Sequence, residues 1–247
     1  MENEIVIDSA PEARRLQAAA GWRWIVEATQ MFRANWLQWL LITLVFIVIV
    51  MGLSLTPIIN VVSTVLTPVL LGGVMWAAQG ARQGRTPEVG DVFAGFRQRP
   101  RELLRVGLYY LIGVMIVALL LVALMYVFNL TETFEAWRTA ATMTDRPDIG
   151  GAGWLVVLLG LIGMLVVYSC YFFAPALVML HGISASEAMK LSLVGFWRNW
   201  LPVLLASAIL SGLAIIAMIP MMLGLIVLIP VVLLTNYTAY ADVFDPR

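Results

Sequence analysis

Few side chains in this sequence have the types and spacing that chemistry requires. The 247 residues contain one cysteine, Cys170, and one histidine, His181, and the carboxylates fall outside the long apolar stretches. A catalytic site needs a nucleophile beside a base, and a thiolate or imidazole metal site needs several such ligands. One cysteine and one histidine cannot form such a metal site within one chain, and together with the carboxylates they are not placed to form a catalytic set. We therefore predict a protein with no enzymatic activity, no cofactor and no metal site.

Arginine is the most distinctive residue type in the middle of the chain. Four arginines fall within nine residues, immediately before an apolar stretch. Basic residues at a membrane border attract acidic lipid headgroups by about 1 kcal/mol each. They also act as topology signals without binding any lipid, and both interpretations are open. The candidate headgroup contacts are Arg97, Arg99, Arg101 and Arg105.

A second group of polar residues lies inside the apolar stretches. Polar side chains at intervals of three or four residues can line a cavity. They can also form hydrogen bonds between helices, typically worth about 0.6 kcal/mol each, which is the more common role. The candidate cavity-lining residues are Asn60, Thr64, Tyr168, Tyr171 and Asn236.

The composition restricts the chain to one class of protein. Hydrophobic residues make up 62% of it and charged residues only 12%, against roughly 25% charged in an average soluble domain. Only a polytopic membrane protein fits these values. The formal net charge is zero, so no overall field attracts nucleic acid, and we predict no nucleic-acid partner.

The membrane spans can be counted from the stretches without charged residues, because a charged residue at the centre of a span raises the free energy of insertion by about 2.5–3.5 kcal/mol. A span needs about 20 residues. The first and last stretches are each long enough for two spans, which gives six in total. The third is predicted as one helix from about Trp154 to Leu180, kinked at Pro175. The four stretches are Ala34–Ala81, Val106–Thr131, Ile149–Ser186 and Asn199–Ala241.

A short sequence pattern recurs before the apolar stretches. The segment at 32–37, Phe-Arg-Ala-Asn-Trp-Leu, returns at 196–201 as Phe-Trp-Arg-Asn-Trp-Leu, and 96–100 is a looser copy. We predict an all-α polytopic bundle of six transmembrane helices. It consists of three pseudo-repeated hairpins, each preceded by a short amphipathic interfacial helix. The whole chain, 1–247, is predicted as one transmembrane domain with repeat units at about 18–80, 86–181 and 184–241.

The first amphipathic helix is predicted from about Ala18 to Arg33, with one apolar face. It fits the membrane surface, or alternatively a soluble partner. Asn35 is expected to cap the following span through its side chain, and residues 1–16 are expected to be mobile. The predicted apolar faces are Trp22, Ile25, Thr29 and Phe32 in this helix, and Met189, Leu193, Phe196 and Trp200 in the third.

The basic residues also predict the orientation. On the six-span count, thirteen of the fifteen lie on one side and only Arg138 and Arg146 on the other. The positive-inside rule then places both termini in the cytoplasm. The external loop, about Asn129 to Gly153, is predicted to contain a short amphipathic helix.

Several short motifs resemble an uncharacterised proteobacterial family of six-helix inner-membrane proteins. They are Gly21-Trp22-x-Trp24-Ile25, Phe32-x-x-Asn35-Trp36, Phe93-x-x-Phe96 and Tyr240-x-Asp242-x-Phe244. The chain is more distantly similar to the membrane domains attached to some glycerophosphodiester phosphodiesterases. The resemblance implies the fold and a multi-pass location in the bacterial inner membrane. It supplies no catalytic or binding residues.

These features predict a non-enzymatic integral membrane protein. It would organise lipids or partner proteins through its cytoplasmic amphipathic helices and its arginine-rich loop. The alternative is a small-molecule or lipid carrier or channel that uses the polar stripes of spans 2, 4 and 6. The expected partners are membrane lipids and either another membrane protein or further copies of the same chain.

Overall fold

The computed structural model describes residues 11–54, 57–142, 144, 147–219 and 221–244, without the side chains of 57–59. Arg146, Pro220 and Arg247 lie outside these residues. The described part of the chain is helical and contains no strand, which confirms the predicted all-α class. A 3₁₀ helix covers Val89–Phe93 and a π-helical turn covers Leu177–His181. The α-helices are α1 (Ala20–Ala34), α2 (Trp36–Gly52), α3 (Pro57–Arg82), α4 (Ala94–Gln98), α5 (Pro100–Val127), α6 (Thr131–Thr139), α7 (Gly150–Tyr171), α8 (Ala174–Ala176), α9 (Ala185–Arg198), α10 (Trp200–Met218) and α11 (Leu223–Phe244).

Five helical segments of the described chain are long and apolar enough to cross a membrane. The sixth candidate is the pair α1 and α2, which bends by 103°. Helix α2 has 17 residues; at 1.5 Å per residue it is about 26 Å long, close to the lower limit for a span. The five segments are Asn60–Arg82, Pro100–Val127, Gly150–His181, Trp200–Met218 and Leu223–Phe244.

A single residue joins a short helix to a long one at three places. Asn35 separates α1 from α2, Arg99 separates α4 from α5, and Asn199 separates α9 from α10. Their φ values lie between −139° and −120° and their ψ values between 31° and 49°. Each of the three carbonyls accepts the amide four residues later at 3.1 Å. We call these residues the three junctions; their backbone geometry is similar.

Burial repeats around the three junctions as well. The positions seven residues before, four after and seven after each junction are all buried. The repeated phenylalanine is less regular, since Phe32 and Phe196 are buried whereas Phe96 is 41% exposed. The nine buried residues are Ala28, Val92 and Ser192; Trp39, Leu103 and Val203; Ile42, Val106 and Ala206.

The predicted capping role of Asn35 is wrong. Its side chain makes no capping hydrogen bond to α2, and the side chain of Asn199 makes none to α10. A capping side chain reaches the next amides when the cap residue has extended backbone angles. A ψ value of 49° at Asn35 is not extended. At each of these junctions the backbone carbonyl, and not the side chain, makes the hydrogen bond to the following helix.

The predicted apolar face of α1 is partly wrong. Trp22 is 56% exposed, whereas Trp24 is almost completely buried. Helix α1 packs against α10 and α11, and the alanines and glycine on its buried face allow close approach. An alanine Cβ at Gly21 would lie 2.3 Å from the carbonyl oxygen of Pro202. Helix α9 likewise buries Ala185, Ala188, Ser192, Gly195 and Phe196.

The predicted kink at Pro175 is an interruption of the helical hydrogen bonding within one apolar segment, Gly150–His181. Helix α7 ends at Tyr171, and Pro175 lies in the first turn of α8. The amide of Phe173 donates to Ser192 Oγ at 2.9 Å, and that hydroxyl donates to the carbonyl of Ser169 at 2.8 Å. The hydroxyl from α9 is therefore inserted between two groups that would bond directly in a continuous helix.

The contacts divide the chain into two compact units. One contains Met1–Leu108 and Ser169–Arg247, and the other contains Tyr109–Tyr168. In the second unit, glycines of α5 and α7 face valine and leucine side chains across the pair, as in membrane helices that pack closely. The predicted external amphipathic helix is α6; none of its residues is buried.

Candidate membrane-surface and polar sites

The four arginines predicted to contact headgroups lie around the second junction, and all are exposed. Arg97 donates to a backbone carbonyl of the 3₁₀ helix at 2.7 Å, and Arg99 donates to a carbonyl in the loop before α9 at 3.3 Å. Arg105 forms an ion pair with the glutamate three residues before it. Arg101 has no side-chain partner among the described residues. The group therefore has structural bonds of its own, and only Arg101 is unengaged.

Glu102 connects the start of α5 to the start of α9. One of its oxygens accepts the guanidinium of Arg105, and the other accepts the amide of Ala185 at 2.8 Å. A carboxylate at a helix N-terminus is stabilised by the helix dipole. Ser184 caps α9 through its side chain, because its hydroxyl accepts the amide of Glu187 at 3.4 Å. These bonds fix the loop between the second and third predicted repeat units.

Two of the five predicted cavity-lining residues, Thr64 and Asn236, use a polar side-chain atom in a hydrogen bond to a backbone carbonyl. Thr64 Oγ1 donates to the carbonyl of Asn60 one turn earlier at 3.0 Å. Asn236 Nδ2 donates to a carbonyl at the end of α7 at 3.2 Å. Asn60 is exposed and Tyr171 is half-buried. Tyr168, in the second compact unit, is 45% exposed. For Thr64 and Asn236 these bonds favour the packing interpretation over a lined path.

The N-terminal segment 13–16, which we call the strap, is held against the ends of two helices. The expectation of a mobile segment 1–16 is therefore wrong for 13–16, and residues 1–10 lie outside the described residues. Asn199 is completely buried; its Oδ1 accepts the amide of Leu16 at 2.8 Å, and its Nδ2 donates to the carbonyl of Arg14 at 2.7 Å. Arg198 donates to the carbonyl of Ala13 at 2.6 Å. The amide of Arg14 donates to a carbonyl of α11 at 3.0 Å.

Helix α1 is attached to α11 by side-chain hydrogen bonds. Trp24 Nε1 donates to Asp242 Oδ2 at 3.0 Å, and Arg23 contacts the same oxygen at 3.3 Å. Thr238 Oγ1 donates to the carbonyl of Trp24 at 2.9 Å. Tyr240 of the same helix has its hydroxyl 2.6 Å from the imidazole of His181. The bonds from Arg23 and Trp24 therefore attach α1 to the end of α11.

Sequence reasoning missed the partners of three polar residues. Trp24 and Asp242 both occur in the motifs listed for the resemblance, but nothing in their spacing indicated that they pair. Ser192 occupies the position that is alanine or valine before the other two junctions. That difference within the repeat was the available signal for the broken helix. The strap had no comparable signal, since Asn199 matches Asn35 in type and position.

No known protein family, curated protein or solved structure matches this chain. Among the described residues, no group of three histidine, cysteine, aspartate or glutamate side chains is arranged to hold a metal ion. The apolar helices indicate an integral membrane protein.

Proposed function

We propose that the chain crosses the bilayer six times as three related hairpins within one transmembrane domain. The support is the matched backbone geometry of the junctions at Asn35, Arg99 and Asn199, together with the repeated burial around them. Equivalent junctions give equivalent starts to three hairpins. The 103° bend between α1 and α2 also suits a helix that lies on the membrane surface before a span.

In this arrangement both termini and the segment Gly80–Arg105 face the cytoplasm of a bacterial cell. The inner membrane is the location that the resemblance implies, and the basic residues then lie on its cytoplasmic side. Arg138, in α6, lies on the external side together with Glu135, with which it forms an exposed ion pair. This orientation depends on the count of six spans, and that count requires that α2 crosses the bilayer.

The function that this arrangement supports best is the organisation of acidic lipids at the cytoplasmic surface, without catalysis. The observation that carries it is the placement of a short helix and of arginines at every junction: Arg33 at the first, Arg97 and Arg99 at the second, and Arg198 at the third. Surface helices contribute apolar area to the interface, and arginines contribute attraction to anionic headgroups. The bilayer's own lipids are then the ligands, and no deep polar cavity is needed.

The test is extraction of the protein together with its surrounding bilayer in polymer-bounded discs, followed by lipid and protein analysis. We expect acidic lipids to be enriched over the bulk membrane. Arg101→Gln should reduce that enrichment, and Arg138→Gln, which removes the same charge on the external side, should not. Bulk lipid composition around the wild-type protein would contradict the proposal. A stoichiometric partner recovered without acidic-lipid enrichment would instead indicate a protein scaffold.

The alternative, a carrier or channel, is favoured by one observation. Helix α7 is interrupted before Pro175 and continues as a π-helical turn, and interrupted spans form the binding sites of many transporters. The native Cys170 lies next to this break and is half-buried. A hydrophilic thiol reagent should label Cys170 if water reaches the break. The lipid-organising function predicts reaction only with a membrane-soluble maleimide.

A further inference from the structure

A cationic cavity lies where the strap meets the start of α10. Its volume is about 330 Å³. Two arginines line it, and none of its lining residues is acidic. The lining consists of Arg15, Leu16, Gln17, Ala18, Arg198, Trp200, Leu201 and Pro202.

The strap bonds fix the backbone on both sides of Arg15. Asn199 holds the carbonyl of Arg14 and the amide of Leu16, the two residues that flank it. Arg198 is oriented from the other wall, because one of its nitrogens donates to the carbonyl of Ala13. The side chain of Arg15 is exposed and has no partner among the described residues. The guanidinium of Arg198 is therefore held in position by one hydrogen bond, and the guanidinium of Arg15 is available to a ligand.

The chemistry of the lining selects a phosphate diester with an apolar attachment. Guanidinium groups bind phosphate oxygens with two parallel hydrogen bonds, and this geometry is better suited to phosphate than that of lysine. Trp200 is half exposed at the first turn of α10, where an interfacial tryptophan is expected. Leu201 and Leu204 continue as exposed apolar residues along the same helix. A lipid tail could follow them into the bilayer.

We propose that this cavity binds the headgroup of an anionic glycerophospholipid, with its acyl chains along α10. The proposal rests on the proposed function, because it requires that α10 begins at the membrane surface. Preference for an anionic over a zwitterionic lipid follows from the lining. Two guanidiniums can neutralise the phosphate, but no lining carboxylate is present to receive a choline or ethanolamine cation.

The test uses the full-length purified protein in a neutral detergent and short-chain phosphatidylglycerol as the probe. Bound lipid is measured by native mass spectrometry against the matched phosphatidylcholine. We expect phosphatidylglycerol to bind more tightly. Arg15→Gln should weaken it about fivefold, the equivalent of about 1 kcal/mol for one basic residue near the membrane surface. Arg14→Gln removes an exposed charge that does not line the cavity. It should change binding by less than about twofold, because a solvated charge without direct contact to its partner contributes little.

A second variant tests the cavity without changing charge. Ala18→Trp places a bulky side chain in the lining and should abolish the preference for phosphatidylglycerol. Glycerol 3-phosphate and inorganic phosphate serve as soluble competitors and should displace the lipid poorly, because they lack the apolar part. If either binds as tightly as the lipid, the ligand is a soluble phosphate and the proposal is wrong.

Equal weakening by Arg14→Gln and Arg15→Gln would also overturn this site, since it would indicate a diffuse charge effect. So would equal binding of the two lipids. Neither result would remove the lipid-organising function, which the native-disc experiment measures separately. Suppose that acidic lipid is still enriched in discs of Arg15→Gln and that the two substitutions weaken lipid binding equally. The lipid-organising function would then hold, but this cavity would not be its binding site.

Discussion

Replacing Asn199 with alanine should release the strap, whereas the same change at Asn35 should have little effect. The two asparagines occupy equivalent junctions with similar backbone angles. They differ in the burial and the hydrogen bonds of their side chains. Asn199 is completely buried and bonds to the strap, whereas Asn35 makes no capping bond. The pair separates what the side chain contributes from what the junction backbone contributes.

The magnitude follows from the bonds that are lost. Asn199→Ala removes the acceptor for the amide of Leu16 and the donor for the carbonyl of Arg14. A hydrogen bond of this kind contributes about 1 kcal/mol net. Two such bonds give about 2 kcal/mol, or about a 30-fold increase in the fraction of molecules with an open strap. The junction carbonyl still accepts its amide in α10, so the helix itself should remain folded.

The assay is hydrogen–deuterium exchange measured by mass spectrometry on the purified full-length protein. The peptide covering 11–18 should exchange about 30-fold faster in Asn199→Ala, in line with the opening free energy. Peptides from α11 should keep their protection, because most of its contacts do not involve the strap. Asn35→Ala should leave the strap peptide unchanged. Unaltered strap exchange in Asn199→Ala, or equal acceleration in both variants, would refute the reasoning.

Three further substitutions test other contacts. Gly21→Ala should destabilise the protein by more than about 1 kcal/mol, because its Cβ would overlap a backbone carbonyl of α10; the thermal unfolding temperature measures this, and an unchanged value would contradict it. Ser192→Ala should cost about 1–3 kcal/mol, because it leaves an amide and a carbonyl unpaired, whereas the exposed Ser211→Ala should be close to neutral; equal effects would be evidence against the inserted hydroxyl. Asp242→Asn should loosen α1 by about 1 kcal/mol, measurable as faster amide exchange around Trp24; exchange at the wild-type rate would show that the carboxylate is dispensable there.

The long apolar helices could be predicted because charge in a bilayer is costly wherever it occurs. That rule needs no knowledge of tertiary contacts, and it located the helices to within a few residues. Helix α5 begins at Pro100, before the start of its charge-free stretch. Arg101 and Arg105 lie in the first turns of this helix and remain exposed. The short helices before the junctions could also be predicted, because the repeated pattern that marks each of them is local in sequence.

The contacts between distant segments could not be predicted. The buried face of α1 places small residues, which allow close packing, beside Trp24, whereas Trp22 is left exposed. The break before Pro175 depends on a hydroxyl from α9. The strap depends on Asn199, whose counterpart Asn35 makes no equivalent bond. In each case the outcome is decided by a partner far away in the sequence, and residue type alone does not identify that partner.

The most direct test of the account is whether α2 crosses the membrane. In a Cys170→Ser background, single cysteines are introduced by Ala18→Cys, Gln83→Cys and Thr139→Cys at exposed positions and treated with a membrane-impermeant thiol reagent. Six spans predict that positions 18 and 83 react only in inverted vesicles, whereas position 139 reacts in cells whose outer membrane has been made permeable. Reaction of positions 18 and 83 from opposite sides would show that α2 does not cross, and it would contradict the three-hairpin arrangement.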